Sequence, residues 1–112
     1  MTKIECILRP DKILDIRNVL GKLGIKGMTV TEVIGCGLQK GHGRDDWNTE
    51  LNINLLPKTK IEMVVPDNMV DEVTKAIIKI SRTGKIGDGK IFTYPVGNAI
   101  RIRTGETGET AI

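Results

Sequence analysis

The run Thr83-Gly84-Lys85-Ile86-Gly87-Asp88-Gly89-Lys90-Ile91 brings together the residue types most suited to binding chemistry in this chain. Glycine has no Cβ and reaches positive φ, so Gly84, Gly87 and Gly89 allow successive N–H groups to converge on an anion. Lys85 and Lys90 supply charge at either side. The spacing Gly84-x4-Gly89-Lys90 matches the first part of a Walker phosphate loop, but Ile91 stands where a Ser or Thr would reach Mg²⁺. The context is also inverted. A Walker loop leaves a strand and opens a helix, whereas this run leaves a predicted helix (Asp67 to Ser81) and opens a predicted strand (Ile91 to Val96). It reads as an anion-binding loop that is not a Walker loop.

Further anion-binding groups are spread along the chain. In Ile100-Arg101-Ile102-Arg103, a period of two puts both arginines on one face of a short strand, and guanidinium forks suit phosphate oxygens. A second glycine-rich segment, Gly35-x-Gly37-x-Gln39-Lys40-Gly41, offers an amide and a charge, and Lys58 follows it across a long loop. A small dianionic metabolite or Mg²⁺-phosphate suits that combination. His42, the only histidine, has no Ser, Cys or carboxylate partner to make it a catalytic base. No acid–base pair or activated nucleophile is evident, so the expected function is not enzymatic. The competing enzyme reading is a weak ATPase, with Lys90, Arg101, Arg103 and Gln39 orienting a γ-phosphate and a water.

Composition sets the frame for these groups. At 112 residues the chain makes one domain, 1–112, small enough to gain from oligomerisation. Aromatics are only 3% of residues, so the core is aliphatic. A net charge of +3 is mild, and the basic residues form no long run. Cys6 falls in an apolar strand and Cys36 between two glycines; two cysteines make neither a disulfide framework nor a metal site. Asp45, Asp46 and Glu50 do not follow EF-hand spacing. Lys3 and Glu5 interrupt the N-terminal apolar positions, so no signal peptide is expected, and the default location is the cytoplasm.

The elements that would position the site follow from periodicity. Lys3 to Leu8 alternates with Ile4, Cys6 and Leu8 on one face, and Thr59 to Val65 alternates with Ile61, Met63 and Val65 inward. Helices open at Pro10-Asp11 and Pro66-Asp67. The first carries the stripe Ile13, Ile16, Leu20 and Leu23, the second Met69, Val70, Val73, Ala76, Ile77 and Ile80. Gly84 is expected to close the second helix. Gly27 to Ile34 is β-branched and Lys90 to Val96 completes the set, with Ile100 to Arg103 as a short further strand. The order β-α-β-β-α-β is the ferredoxin-like α+β arrangement, two helices on one face of an antiparallel sheet. Ile7, Val33 and Val64 make the other face partly apolar, so another subunit is expected to cover it. No aromatic occurs on the middle strands for base stacking, so nucleic acid is not expected as a partner.

Between the second and third strands, Cys36 to Pro57 reads as a loop of about 22 residues, longer than the ~12–15 usual in compact domains. Its tip holds the only Trp, Trp47, an anchor type enriched in partner contacts.

Five segments together resemble the PII nitrogen-signalling family: Gly27-Met28-Thr29-Val30-Thr31-Glu32-Val33, Gly35-x-Gly37-x-Gln39-Lys40-Gly41-His42, Leu56-Pro57-Lys58-x-Lys60-Ile61-Glu62, the glycine loop through Phe92, and Ile100 to Glu106. The similarity runs nearly end to end. It implies a homotrimer of ferredoxin-like subunits with a nucleotide site in each inter-subunit cleft, binding ATP or ADP competitively and 2-oxoglutarate together with Mg²⁺-ATP. Carried over by position, Gly87, Asp88, Gly89, Lys90, Arg101 and Arg103 would hold the phosphates. Ile7, Met28, Thr29, Gly35, Gly37 and Val64 would surround the adenosine. Gln39 would help ligate Mg²⁺, and 2-oxoglutarate would meet Gln39, Lys40, Gly41, Lys58, Ile86 and Gly87. The resemblance further implies a T-loop, about residues 36–57, that docks onto a membrane transporter (ammonium or other) or a nitrogen-metabolism enzyme. A transporter partner would bring a cytoplasmic protein to the membrane.

The T-loop departs from the family pattern. Leu51 stands where relatives that are uridylylated or adenylylated carry Tyr, so that modification has no acceptor here. Trp47 replaces the arginine that plugs ammonium-transporter pores in relatives, with Arg44 the nearest substitute. Arg44, Trp47 and Leu51 are the expected partner contacts. An energy sensor that has lost the 2-oxoglutarate response is the remaining alternative.

Overall fold

The computed structural model describes residues 1–39 and 52–112. Strand β1 (Thr2–Leu8) leads through a 3-10 turn (Pro10–Lys12) into helix α1 (Ile13–Lys22). Strands β2 (Thr29–Gln39) and β3 (Asn52–Val65) follow, then a 3-10 turn (Asp67–Met69), helix α2 (Val70–Ser81), strand β4 (Lys90–Pro95) and a last 3-10 turn (Gly108–Ala111). The sheet order is β2-β3-β1-β4, and every neighbouring pair is antiparallel. This is the ferredoxin-like α+β fold.

Alternation decides which face of the sheet is buried. Ile4 and Cys6 are 0% exposed, and Ile61, Met63 and Val65 of β3 are buried beside them. The helices close over this face with Ile16 and Leu20 from α1 and Val73 and Ile77 from α2, all buried. Each fully buried aliphatic side chain contributes about 1.5–3 kcal/mol of transfer free energy. The opposite face carries the half-buried Ile7, Val33 and Val64 among paired charges. Lys3 reaches Glu62 at 2.6 Å, Lys60 reaches the same carboxylate at 3.5 Å, and the Tyr94 hydroxyl donates to Glu5 at 2.9 Å.

The two helices end differently, and one end corrects the expectation from sequence. At α1, Gly24 takes φ +88°, its N–H donates to Gly21 O at 3.1 Å and the Ile25 N–H to Leu20 O at 3.0 Å, a Schellman closure. At α2, Gly84 is not the cap. The helix stops at Arg82, whose backbone is extended (φ −72°, ψ 122°), and Gly84 (φ +84°) belongs to the loop beyond.

The segment between β2 and β3 also differs from the expected loop. Cys36 to Gln39 and Asn52 to Pro57 are paired strand, in register from Cys36↔Leu55 to Gln39↔Asn52. The β1 register ends at Leu8↔Thr59, so β2 and β3 continue past the four-stranded body as a two-stranded ribbon. At ~3.3 Å per residue, Pro57 back to Asn52 adds roughly 17–20 Å. Pro57 lies in that extension, beyond the last β1 partner, where its missing N–H interrupts no bond to β1.

The fifth strand expected at Ile100 to Arg103 does not form. Ile100 makes an isolated bridge to Thr107, and the chain between them turns, with the Arg101 N–H donating to Glu106 O at 2.9 Å and the Gly105 N–H to Arg101 O at 2.7 Å. Gly105, at φ +72°, permits that turn. Alternation in so short a run does not distinguish a strand from a turn. Among the described residues, no helix is long and apolar enough to cross a membrane.

Candidate anion-binding and nucleotide-binding site

The loop between α2 and β4 is organised by one carboxylate. Asp88 Oδ2 accepts the backbone N–H of Thr83 at 2.8 Å and of Gly84 at 2.9 Å, and its Oδ1 accepts the Thr83 hydroxyl. The Thr83 hydroxyl and backbone bonds, with the Gly84 N–H and the Arg9 guanidinium, hold the Asp88 carboxyl well below the usual carboxylate range despite some desolvation. A chain leaving α2 in extended form is thereby folded back toward the start of β4. Gly89 completes the return. It takes φ +102°, and a Cβ there would lie 1.8 Å from the Ile7 carbonyl oxygen, so only glycine lets the loop press against β1.

Two cations from elsewhere in the chain pin this loop. Arg9, at the end of β1, donates from Nη2 to Asp88 Oδ1 at 3.2 Å and to the Ile86 carbonyl at 3.1 Å. Lys58 of β3 donates from Nζ to the Gly87 carbonyl at 2.8 Å. Gly87 has φ +101°, and a Cβ on it would stand 3.3 Å from both Arg9 nitrogens and 3.4 Å from Lys58 Nζ. Gly35 on β2 serves the same assembly from below, since a Cβ there would meet Lys58 Cγ at 3.0 Å. Its glycine identity lets the Lys58 stem lie across β2. The arrangement concentrates two cationic heads at a glycine-lined turn, which suits a small anion with two or more oxygens.

Several residues singled out in the sequence meet here. Ile7 pairs with Lys60 and with Lys90, so Ile7, Lys90, Gly35, Lys58 and the loop from Ile86 to Gly89 share one end of the sheet. The Ile86 side chain is 100% exposed. The Asp88 carboxylate is directed inward as the loop's internal acceptor. Arg9 was not singled out by sequence reasoning. It is read most simply as the residue before Pro10, and its partners lie 77 and 79 residues away.

Others stand apart. Thr29 pairs with Glu62 and Val64 with Lys3, toward the opposite end of the sheet. Thr29 and Gly35 are six positions apart along β2, roughly 20 Å at ~3.3 Å per step. One adenosine does not span both within a single chain. Met28 borders a cleft of about 300 Å³ with Arg17, Leu20 and Val30, and Val64 borders another of about 330 Å³ with Met69, Glu109 and Ile112. Arg101 is held by Glu106 at 3.5 Å inside the C-terminal turn, and Arg103 is exposed. Among the described residues, neither arginine shares a hydrogen bond or ion pair with the glycine loop. Gly37 pairs with Asn54 on the ribbon. The Gln39 side chain, Lys40, Gly41, Arg44, Trp47 and Leu51 lie outside the described residues.

Cys6 is fully buried, and desolvation with the neighbouring Glu5 charge pushes its thiol up to about 12, so it is no nucleophile at neutral pH. Among the described residues, no group of three or more His, Cys, Asp or Glu could hold a metal ion.

Fold and site together define a ferredoxin-like domain whose glycine loop is held at one end of the sheet by Asp88, Arg9 and Lys58. A family model described as nitrogen regulatory protein P-II matches residues 1–106. The chain belongs to the P-II family of nitrogen regulatory signalling proteins. It is 54% identical over 112 residues to nitrogen regulatory protein P-II of Haemophilus influenzae, covering 100% of both chains. It is 53% identical, with the same coverage, to nitrogen regulatory protein P-II 1 of Escherichia coli. A solved GlnK–ATP complex from B. subtilis superposes with a TM-score of 0.90 at 40% identity, over 99% of this chain and 96% of that one. Arabidopsis thaliana PII bound to citrate superposes with a TM-score of 0.81 at 42% identity, over 99% and 91%.

Proposed function

We propose that this P-II protein is a homotrimeric sensor of ATP, ADP and 2-oxoglutarate that regulates a transporter or enzyme of nitrogen metabolism through its T-loop. The observation that carries the reading is the division of the expected nucleotide contacts into two groups. Ile7, Gly35, Gly87, Gly89 and Lys90 stand at one end of the sheet, while Thr29 and Val64 stand at the other. Copies that meet through unlike ends would complete one site in each cleft, with Ile7, Gly35 and the glycine loop from one chain and Thr29 and Val64 from the next. Arg101 and Arg103, separate from their own chain's loop, fit the role of phosphate ligands presented to a neighbouring chain. The ATP complex of a relative supports nucleotide as the ligand.

The polycarboxylate citrate bound by another relative supports an acid site of the kind Lys58 and Arg9 can serve. A dianionic keto acid would compete for the two cations that hold the Ile86 and Gly87 carbonyls. A divalent ion would be held chiefly by phosphate oxygens with Gln39, because Mg²⁺ is commonly bound through substrate phosphates and few protein ligands. Acid binding then depends on nucleotide, and the change in loop contacts is the coupling between effector and output. The output passes along the ribbon of β2 and β3 to Arg44, Trp47 and Leu51. With Leu at position 51, signalling proceeds without tyrosine modification there.

The test is a calorimetric titration of 2-oxoglutarate into protein carrying Mg²⁺-ATP, then ADP, then neither. Heat confined to the Mg²⁺-ATP sample is the expected result. ATP binding with no heat from the keto acid in any sample would contradict the carbon/nitrogen part of the reading.

A further inference from the structure

We infer that the root of the β2–β3 ribbon, on its helix-facing side, docks a partner protein segment that combines aliphatic side chains with a lysine or arginine. The inference rests on the reading of this chain as a regulator that docks onto another protein, and adds a contact at the base of the ribbon to those expected at its tip. Register carries the buried face of the sheet past its own cover. Ile61 and Thr59 are buried, and Pro57 and Leu55 follow on the same face of β3. Their cross-strand partners are Ile34 and Cys36 of β2. Ile34 is 72% exposed and Leu55 65%, and Pro57 and Cys36 are exposed with them. Scattered exposed aliphatics need no explanation, but a contiguous patch of them marks an interaction surface. The patch is also grooved. Pro57 stands between a cleft of about 430 Å³ that reaches Ile34 and Glu32 and one of about 380 Å³ that reaches Leu56 and Asp11.

Charge defines the kind of partner. Arg9 and Lys58 border the clefts, but their heads donate to Asp88 and to the Ile86 and Gly87 carbonyls of the glycine loop. Glu32 and Asp11 are exposed, and among the described residues neither has an ion-pair partner. The charge left open at the rim is therefore acidic. Like charges oppose each other across an interface, so this rim disfavours the same patch of a second copy, and also a nucleic acid or an anionic lipid surface. A segment whose aliphatic side chains enter the clefts beside Pro57, with a cation meeting Glu32 or Asp11, satisfies both features. The site is also placed to respond to effector. An acid that drew Arg9 and Lys58 away from the loop carbonyls would reshape the cleft those two residues border.

Selection of a random short-peptide display library on the wild-type protein, followed by titration of the selected peptides into methyl-labelled protein, tests the site. Enrichment of Leu, Ile or Met close to Lys or Arg is expected, with saturable shifts at the Ile34 and Leu55 methyls. Ile34→Ser should weaken the selected peptides at least about tenfold, and Glu32→Gln about threefold. Both variants should bind ATP as the wild type does. No enrichment, enrichment of Asp and Glu, shifts away from Ile34 and Leu55, or unchanged affinity in Ile34→Ser would each overturn the inference. Titrations of ATP and 2-oxoglutarate into the same protein separate the two readings. Peptide shifts at Ile34 and Leu55 in a protein that binds neither effector would support the docking site and remove the sensor reading. Effector binding without peptide enrichment would overturn the docking site alone.

Discussion

Asp88 takes the Thr83 hydroxyl, two backbone N–H groups and the Arg9 guanidinium, and these bonds exist only in the folded loop. Its folded pKa lies far below its ordinary value of 3.8. A depressed carboxyl stabilises the fold above the unfolded pKa, and that contribution is lost as pH falls through the folded value. The stabilisation is therefore complete at neutral pH and fades only under strongly acid conditions, below 3.8. Carboxyl carbon NMR should find Asp88 still ionised at a pH where exposed aspartates have titrated, and Asp88→Asn should weaken protection of the Thr83 and Gly84 amides. Titration near the ordinary value would contradict the assignment. Gly89 supplies a second test. Gly89→Ala combines left-handed strain with collision against the Ile7 carbonyl and should cost about 2–5 kcal/mol in urea denaturation. Gly105→Ala has positive φ but nothing within 4 Å of the added Cβ, so it should cost only about 1–2 kcal/mol. Equal costs would show that the close approach to β1 is not a constraint. Arg9 escaped the sequence because its role depends on which distant segment returns to it, and periodicity carries no record of that.

At the scale of elements, alternation in β1 and in the second half of β3 identified the buried face correctly, and the two helical stripes identified what covers it. These signals succeed because the core is aliphatic and every second strand residue must enter it. Ile77→Ala in α2 should accordingly cost about 2–5 kcal/mol, read as a lower urea midpoint. The ribbon and the C-terminal turn were not legible for the opposite reason. Among the described residues the buried core of β3 ends at Thr59, and Leu55 and Leu56 beyond it are exposed, so polar and glycine residues are tolerated and the alternation fades. At Ile100 to Arg103 the side chains follow a strand pattern, but Ile102 is 100% exposed because a turn, not a sheet, sets its direction. A two-stranded ribbon alone is marginally stable. Amide exchange along Cys36 to Gln39 should be faster than along Thr29 to Val33 in the free protein, and should slow when a partner or effector binds. Equal protection in the free protein would contradict a ribbon supported only by its own ladder.

For the whole molecule, the sheet face bearing Ile7, Val33, Val64 and the Lys3–Glu62 and Tyr94–Glu5 pairs is the surface proposed to meet other copies. The expected nucleotide contacts then come from two chains of one site, Ile7, Gly35, Gly87, Gly89 and Lys90 from one and Thr29, Val64, Arg101 and Arg103 from the other. The measurement that tests this most directly is calorimetric titration of ATP into wild-type protein and into Arg101→Ala and Arg103→Ala variants, each first shown by light scattering to be a trimer. One ATP per chain is expected for the wild type, with at least about tenfold weaker binding in each variant, in line with ~1.5–3 kcal/mol for a charge-assisted bond. A wild-type trimer that takes up no ATP, or trimeric arginine variants that bind it unchanged, would contradict the account.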